Sequence, residues 1–196
     1  MPTSVRETRP APSGGQPNGI ISDISAIRDR ARQHVSQGAV TPGYGADRKV
    51  VLQLLNEALA TELVCVLRYR RHYFMANGAM GEAIKSELMA HATEEQAHAD
   101  QIAERMVQLG GEPDFNPMGI LDRSHSEYVE GHSLADMVRE DLVAERIAIE
   151  SYTEMIRYIG DGDPTTRRML EGILAKEEEH AEELASMLET LSGNRA

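Results

Sequence analysis

The chain has 196 residues, of which 41% are hydrophobic and 27% charged, and its formal net charge at pH 7 is −12. This composition is typical of a globular protein with one folded domain, because two domains of this total length would each have a small core. A transmembrane class is excluded, since no apolar run approaches the roughly 18 residues that cross a bilayer and the first residues do not resemble a signal peptide. We therefore expect a cytoplasmic protein without a membrane partner, and its single cysteine, Cys65, excludes an internal disulfide.

Residues 1–46 are predicted to form an N-terminal extension. The first 19 of them are rich in Pro, Gly and Ser and bury too little apolar surface to fold, so we expect a disordered tail. Between Ser22 and Gln37, apolar residues recur at helical spacing behind the N-cap signal Ser22–Asp23, which predicts a short amphipathic helix. The extension carries five arginines but no lysine cluster, so we expect no DNA binding.

Residues 47–196 are predicted to fold as an all-α domain of four long helices, each about 40 to 45 Å long. Glycine-containing breaks end the first two helices, whereas Ser133 and the pair Asp163–Pro164 are typical of helix starts. The predicted helices extend from about Asp47 to Ala76, Met80 to Leu109, Ser133 to Gly160 and Asp163 to Gly193.

The connections between these helices predict how they are arranged. Short links join the first helix to the second and the third to the fourth, which makes each pair an antiparallel hairpin. Between the hairpins, about 22 residues can span roughly 70 Å when extended, which is enough to travel the full length of the bundle. One long crossover is the topology of ferritin-like four-helix bundles, and we predict this fold.

Each predicted helix carries one glutamate within its apolar stripe, and two helices add a histidine three residues after that glutamate. The residues concerned are Glu62, Glu95 with His98, Glu145, and Glu177 with His180. The two glutamates are 33 positions apart in the first hairpin and 32 positions apart in the second. Nearly equal separations place all of these residues at one level of the two hairpins. We therefore predict that four carboxylates and two imidazoles meet inside the bundle.

This cluster predicts a pair of bound metal ions. A single Glu-x-x-His on a helix is usually an exposed pair, but both occurrences here fall on apolar stripes. Four buried carboxylates need a counter-charge, and no lysine or arginine stands on the stripes at that level. Carboxylate and imidazole donors suit iron or manganese, and one Glu plus one Glu-x-x-His from each hairpin is the ligand pattern of di-iron bundles. We predict two iron ions in each subunit, with manganese as the alternative.

The motifs around these residues resemble those of bacterioferritin, and the resemblance extends from about Lys49 to Leu191. The matching segments, in chain order, are Leu55–Leu63, Glu95–Asp100, Ile102–Arg105, Leu109–Pro113 and Asp141–Glu145. The resemblance implies that the six residues of the cluster are the ligands of a ferroxidase centre.

Two finer roles follow from the resemblance alone. It implies that Glu95 and Glu177 bridge, or nearly bridge, the two metal ions. It also implies that Tyr69, seven residues after Glu62, lies beside the centre and can donate an electron or a hydrogen bond there. An ordinary aromatic residue of the core is the alternative interpretation of Tyr69.

The sequence departs from bacterioferritin at two points. Bacterioferritin binds haem through a methionine directly after the second-helix glutamate ligand, and this chain has Gln96 there, so we expect no haem. The sequence also stops 16 residues after His180, too soon for the short fifth helix of 24-subunit cages. We therefore favour a homo-oligomeric shell of 12 subunits, as in the DNA-binding proteins from starved cells, with 24 subunits as the alternative.

Three other features have both a structural and a functional interpretation. Cys65, one turn after Glu62, is expected to be a small buried side chain, with an approach of its thiol to the metal cluster as the alternative. His72 is interpreted either as a residue of the helix surface or as an iron contact near the centre or on an inner surface. The acidic run after Glu177 predicts a solvated helix face, with capture of cations as the alternative, and comprises Glu178, Glu179, Glu182 and Glu183.

The predicted function is that of a ferroxidase. We expect the protein to oxidise Fe(II) with O2 or H2O2 and to sequester Fe(III) in its shell for storage or detoxification. One alternative is another enzyme on the same di-metal site, either a manganese catalase or an O2-activating oxidase. An access route for the substrate would support this alternative. The other alternative is a non-catalytic shell that protects DNA, which salt-sensitive retention of DNA would indicate.

Overall fold

The computed structural model describes residues 23–193, which form helices and turns without a strand in that range. Contacts divide the chain after Pro42 into two units. In the first unit, α1 (Ile24–Gln33) begins after Asp23, whose carboxylate accepts two backbone hydrogen bonds. This helix is shorter than the one predicted over 22–37, and none of its residues is buried. The tail predicted for the first 19 residues lies outside the described residues.

The second unit contains four long helices, one 3-10 turn and one short helix. Their bounds are α2 (Arg48–Met75), α3 (Gly78–Gln108), the 3-10 turn Pro117–Gly119, α4 (Ile120–Arg123), α5 (Leu134–Ile159) and α6 (Pro164–Gly193). The main contacts join α2 to α3 and α5 to α6, and further contacts of α2 with α5 and of α3 with α6 close the bundle. The long connection between α3 and α5 contains α4, which packs on α2. The predicted all-α bundle with one long crossover is confirmed.

Capping residues and one glycine set the ends of the long helices near their predicted positions. Asp47 caps α2 and Ser133 caps α5, each by accepting backbone hydrogen bonds from the first turn. After α3, Gly110 has a φ of +75°, in the left-handed region where a side chain would be strained. This turn lets the N–H of Gly111 donate to the carbonyl of Met106 at 2.9 Å. The helix therefore stops where the crossover begins.

α2 is the most enclosed of the long helices. An 18-residue window of α2 is long and apolar enough to cross a bilayer, and 56% of that window is buried inside the bundle. The helix nevertheless contains no uninterrupted apolar run of that length, because polar residues such as Thr61 and Glu62 stand within it. Both residues are buried at the level of the predicted metal cluster. A core helix of a bundle meets the same criteria of length and composition.

Asp163 joins three parts of the bundle. As predicted, it caps α6, because its carboxylate accepts a hydrogen bond from the backbone N–H of Thr166 at 2.9 Å. The same carboxylate pairs with Arg105 of α3 at 2.9 Å and accepts a hydrogen bond from the hydroxyl of Tyr44 at 3.0 Å. Burial alone would raise the pKa of Asp163, but the hydrogen bonds from Thr166 and Tyr44 and the charge of Arg105 lower it.

We expect Asp163→Ala to lower the free energy of unfolding by about 3 kcal/mol, since Arg105 is left buried without its partner. Because the folded-state pKa of Asp163 is lowered, its contribution is complete above the unfolded-state pKa of about 4 and is lost as the pH falls below it. Urea unfolding of the metal-free protein at pH 7 measures the loss. The matched control is Asp161→Ala, which removes an exposed partner of Arg167 and should leave stability nearly unchanged. Equal losses in the two variants would contradict the assignment.

Candidate metal centre

The six residues predicted from the stripes converge in the middle of the bundle. None is more than 5% exposed, although all six are ionisable. α2 contributes one glutamate, α5 contributes one, and α3 and α6 each contribute a Glu-x-x-His pair. The residues are Glu62, Glu95, His98, Glu145, Glu177 and His180.

The donor atoms of these residues form two overlapping groups, and in each group the atoms lie within 4.8 Å of one another. The first group comprises Glu62, Glu95, His98 and Glu177. The second comprises Glu95, Glu145, Glu177 and His180. Glu95 and Glu177 belong to both groups, which is the arrangement that two bridging carboxylates require. Each remaining glutamate and each histidine belongs to one group only.

Both imidazoles turn the same ring nitrogen towards the shared glutamates. Nδ1 of His98 lies 3.1 Å from an oxygen of Glu95 and 3.0 Å from an oxygen of Glu177. Nδ1 of His180 lies 3.2 Å from Glu95 and 3.7 Å from Glu177. On the outer side, Nε2 of His180 lies 2.6 Å from a carboxylate oxygen of Glu94. Such an outer partner holds the ring of a metal-binding histidine in one orientation.

Four buried polar atoms of this cluster form no well-aligned hydrogen bond among the described residues, despite the short separations given above. They are Oε1 of Glu95, Oε2 of Glu145, Oε1 of Glu177 and Nδ1 of His180. Leaving such atoms unpaired is unfavourable, and three oxygens with one imidazole nitrogen are donors that a divalent cation binds. Arg68 and Arg105, the arginines buried within residues 23–193, are paired with Asp141 and Asp163, so neither neutralises the cluster.

Burial and repulsion by neighbouring carboxylates raise the pKa values of Glu62 and Glu145, the unshared glutamates that belong to one donor group each. Burial, with the charges of Glu177 and Glu95, raises the pKa of Glu62 well above its usual value. Burial and the same two charges also raise the pKa of Glu145. Burial and repulsion therefore favour the protonated form of both carboxyl groups when no metal ion is bound.

The pKa values of both histidines are raised, whereas burial ordinarily lowers the pKa of a histidine. Burial alone lowers their pKa values, but the nearby carboxylates, Glu177 foremost, raise that of His98 to about 12 and that of His180 to about 10. In return, the two nearby imidazoles outweigh burial and lower the pKa values of Glu95 and Glu177. The two imidazolium ions and the two shared carboxylates therefore neutralise each other when no metal ion is bound.

Two tyrosines complete the cluster in matching positions. Tyr69 of α2 donates a hydrogen bond to Glu145 of α5, and Tyr152 of α5 donates one to Glu62 of α2. Burial raises the pKa of both phenols well above its usual value, so both hydroxyls remain donors. The structure thus places Tyr69 beside the cluster. The sequence analysis missed Tyr152, although it stands seven residues after Glu145, the offset of Tyr69 from Glu62.

Next to the cluster, a buried ion-pair network ties the crossover to the bundle. Arg68 donates to Asp141 at 3.0 Å and to the hydroxyl of Ser126 at 3.0 Å. His72 lies 2.8 Å from Asp141 and 3.1 Å from the backbone carbonyl of Glu130. Both interpretations of His72 were therefore wrong. The residue is fully buried and not on the helix surface, and its two ring nitrogens contact Asp141 and the crossover and are not free to bind iron.

Cys65 and the acidic run behave largely as the sequence indicated. The thiol of Cys65 is buried, burial raises its pKa, and the guanidinium of Arg68 lies 3.5 Å from its sulfur. Glu178, Glu179 and Glu182 are exposed on α6. Glu183 departs from the predicted solvated face, because it pairs with the buried His91.

Residues 52–194 match the family described as the ferritin-like domain. The bacterioferritin of Desulfovibrio desulfuricans is 31% identical over 141 residues, which cover 70% of this chain and 74% of the relative. Its crystal structure, which was described with a diiron site in different catalytic states, superposes with a TM-score of 0.65 over 74% of this chain and 82% of the relative, at 26% identity.

Two further relatives are described as a dodecamer and as a DNA-binding protein. The dodecameric thioferritin of Bacteroides fragilis superposes with a TM-score of 0.74 at 29% identity, over 77% of this chain and 91% of its own. The nutrient stress-induced DNA-binding protein of a Nostoc species is 33% identical over 148 residues, which cover 72% of this chain and 80% of the relative. All six residues of the cluster and both tyrosines lie within the family match.

Proposed function

The chain belongs to the ferritin-like family, and we propose that it oxidises Fe(II) at a two-metal centre within each subunit and sequesters the Fe(III) product. Family membership confirms the resemblance and the fold predicted from the sequence. The observation that carries the proposal is the pair of overlapping donor groups that share Glu95 and Glu177. The proposed ligands are the six residues of the cluster.

The electron balance explains why two ions have to be held together. Each Fe(II) releases one electron, so a pair reduces O2 to H2O2, or H2O2 to two molecules of water, with two protons consumed in either case. The two shared glutamates would hold both ions, and each of the other two glutamates and each histidine would hold one. The four carboxylates balance the charge of two divalent ions in a site that excludes bulk water.

The two tyrosines are proposed as positioning residues. Each occupies one oxygen of an unshared glutamate and thereby turns the other oxygen towards the metal position. At Glu145, Tyr69 is bonded to Oε1, whereas Oε2 is one of the unpaired atoms. A hydrogen bond to a charged group of this kind contributes about 1.5 to 3 kcal/mol.

We expect Tyr152→Phe to slow Fe(II) oxidation about tenfold, because Glu62 loses the donor that orients it. The number of ions bound in an anaerobic titration should stay the same, since no ligand is removed. Stopped-flow absorbance measures the oxidation rate. The control is Tyr158→Phe, which removes an exposed hydroxyl from the same helix. A Tyr152→Phe protein that oxidises Fe(II) at the wild-type rate would contradict the positioning role.

Anaerobic titration with Fe(II) tests the centre itself. We expect two tight sites per subunit and the release of protons as they fill, because the imidazolium protons of His98 and His180 have to leave and the raised pKa values of Glu62 and Glu145 favour their protonated forms. Calorimetry in buffers of different ionisation enthalpy measures this release. The apparent affinity should therefore rise with pH. Binding without proton release, or filled sites that do not oxidise Fe(II) on addition of O2 or H2O2, would contradict the proposal.

We propose a homo-oligomeric shell of 12 subunits for storage, and the dodecameric Bacteroides fragilis relative supports this number. Haem has no part in the proposal, because Gln96, which donates to Asp100 on the surface of α3, offers an amide where a thioether ligand would be needed. DNA has none either, since a net charge of −12 repels a polyanion.

A manganese catalase is the competing enzyme, and manganese-loaded protein that decomposes H2O2 without accumulating Fe(III) would favour it.

A further inference from the structure

A second set of metal-binding side chains lies outside the two-metal centre. Glu87 and His91 of α3 and Glu183 of α6 bring their donor atoms within 4.8 Å of one another. Nε2 of His91 lies 2.8 Å from an oxygen of Glu183. The imidazole is only 2% exposed, whereas the side chain of Glu183 is 43% exposed and Glu87 is exposed. The set therefore joins a buried nitrogen to two carboxylates that reach solvent.

His91 connects this set directly to the proposed centre. Its ring stacks on that of His180, with 4.1 Å between the ring centroids and 23° between the planes. Nδ1 of His91 lies 3.3 Å from the hydroxyl of Tyr69, which itself contacts Glu145. The outward nitrogen, Nε2, faces Glu183. One imidazole thus separates the outer carboxylates from a proposed ligand of the centre.

The outer carboxylates open onto an acidic depression in the surface. The depression has a volume of about 470 Å³ and is lined by Glu87, Glu179, Glu182, Glu183, Ser186 and Met187. Lys176 neutralises one of these carboxylates, since its ammonium lies 2.7 Å from Glu179. The other three acidic side chains leave a local negative charge, and such a charge raises the concentration of cations at the surface.

We propose that Glu87, His91 and Glu183 form a third divalent-cation site, which takes Fe(II) from solvent and passes it to the centre beside His180. Two carboxylates and an imidazole suit a first-row divalent ion, and the open depression leaves room for water as the remaining ligands. An ion bound by exposed carboxylates can exchange readily with ions in the solvent. The buried imidazole holds the bound ion on the side that faces the centre. The delivery role rests on the proposed ferroxidase function, but the binding of a cation does not.

Binding is tested with Zn(II), which is not oxidised. By calorimetry we expect the full-length protein to bind three ions per subunit and the Glu87→Gln/Glu183→Gln variant to bind two. Glu104→Gln/Glu189→Gln, which neutralises one exposed glutamate on each of the same helices, should still bind three. Loss of one ion from His91→Ala, in protein with wild-type helicity, would identify the imidazole as the third ligand. Equal stoichiometry in wild type and the Glu87→Gln/Glu183→Gln variant would overturn the site.

Delivery is tested by the rate of Fe(II) oxidation at low and at saturating Fe(II). We expect the Glu87→Gln/Glu183→Gln variant to be about tenfold slower at low Fe(II) and equal to wild type at saturation, since the centre is intact. Equal rates at low Fe(II) would overturn delivery. A wild-type protein that binds three Zn(II) but oxidises no Fe(II) would overturn the ferroxidase function while supporting the third site.

Discussion

Glu95→Ala combined with Glu177→Ala should abolish tight binding of both metal ions and slow Fe(II) oxidation by at least about 100-fold. The size of the effect follows from the two donor groups, because these glutamates belong to both of them. Loss of a residue that only supports a ligand lowers metal affinity or activity about 10- to 100-fold, and here two shared ligands are lost. Anaerobic Fe(II) titration and stopped-flow oxidation measure the two effects.

The control for this experiment replaces exposed glutamates on the same two helices. Glu104→Ala combined with Glu178→Ala removes the same number of carboxylates from α3 and α6, outside the cluster. Circular dichroism and native mass verify that both double variants keep the fold and assembly of the wild type. Unchanged iron binding and oxidation in the Glu95→Ala/Glu177→Ala protein would refute the assignment of the centre.

The native mass is expected to be about 260 kDa, twelve times the chain mass of 21.6 kDa. Storage of Fe(III) needs a cavity that a single bundle lacks, because its helices bury their inner faces against one another. Large apolar side chains remain exposed on the outside of the long helices, among them Leu67, Phe74, Val143 and Tyr158. Contact with further copies of the chain would cover such side chains. Native mass spectrometry measures the assembly directly.

Other masses would lead to different conclusions. A particle of about 520 kDa, with 24 subunits, would contradict the number twelve and retain the shell. A monomer or dimer that oxidises Fe(II) rapidly would contradict storage and retain the ferroxidase centre. In that case the di-metal oxidases and peroxidases would become the better functional comparison.

The sequence by itself determined the bundle and the level at which its polar cluster lies. Helical periodicity assigned Glu62 and Glu145 to the inner faces of their helices, and the nearly equal spacing within the two hairpins placed all four glutamates at one depth. The Glu-x-x-His pairs were predictable for the same reason, since residues three apart share one face of a helix. Asp163 was recognised as a helix cap from its position before Pro164.

Only the tertiary structure decided which side chains from different helices meet. Periodicity defines the face and height of a residue on its own helix, whereas partners across the bundle depend on how each helix is rotated and on which rotamers fit. Three contacts across the bundle depend on such packing. They are the hydrogen bond from Tyr152 to Glu62, the pairing of His72 with Asp141 and the contact of His91 with Glu183. Buried hydrogen-bonding groups have to find partners nearby, and the folded bundle alone brings those partners within reach.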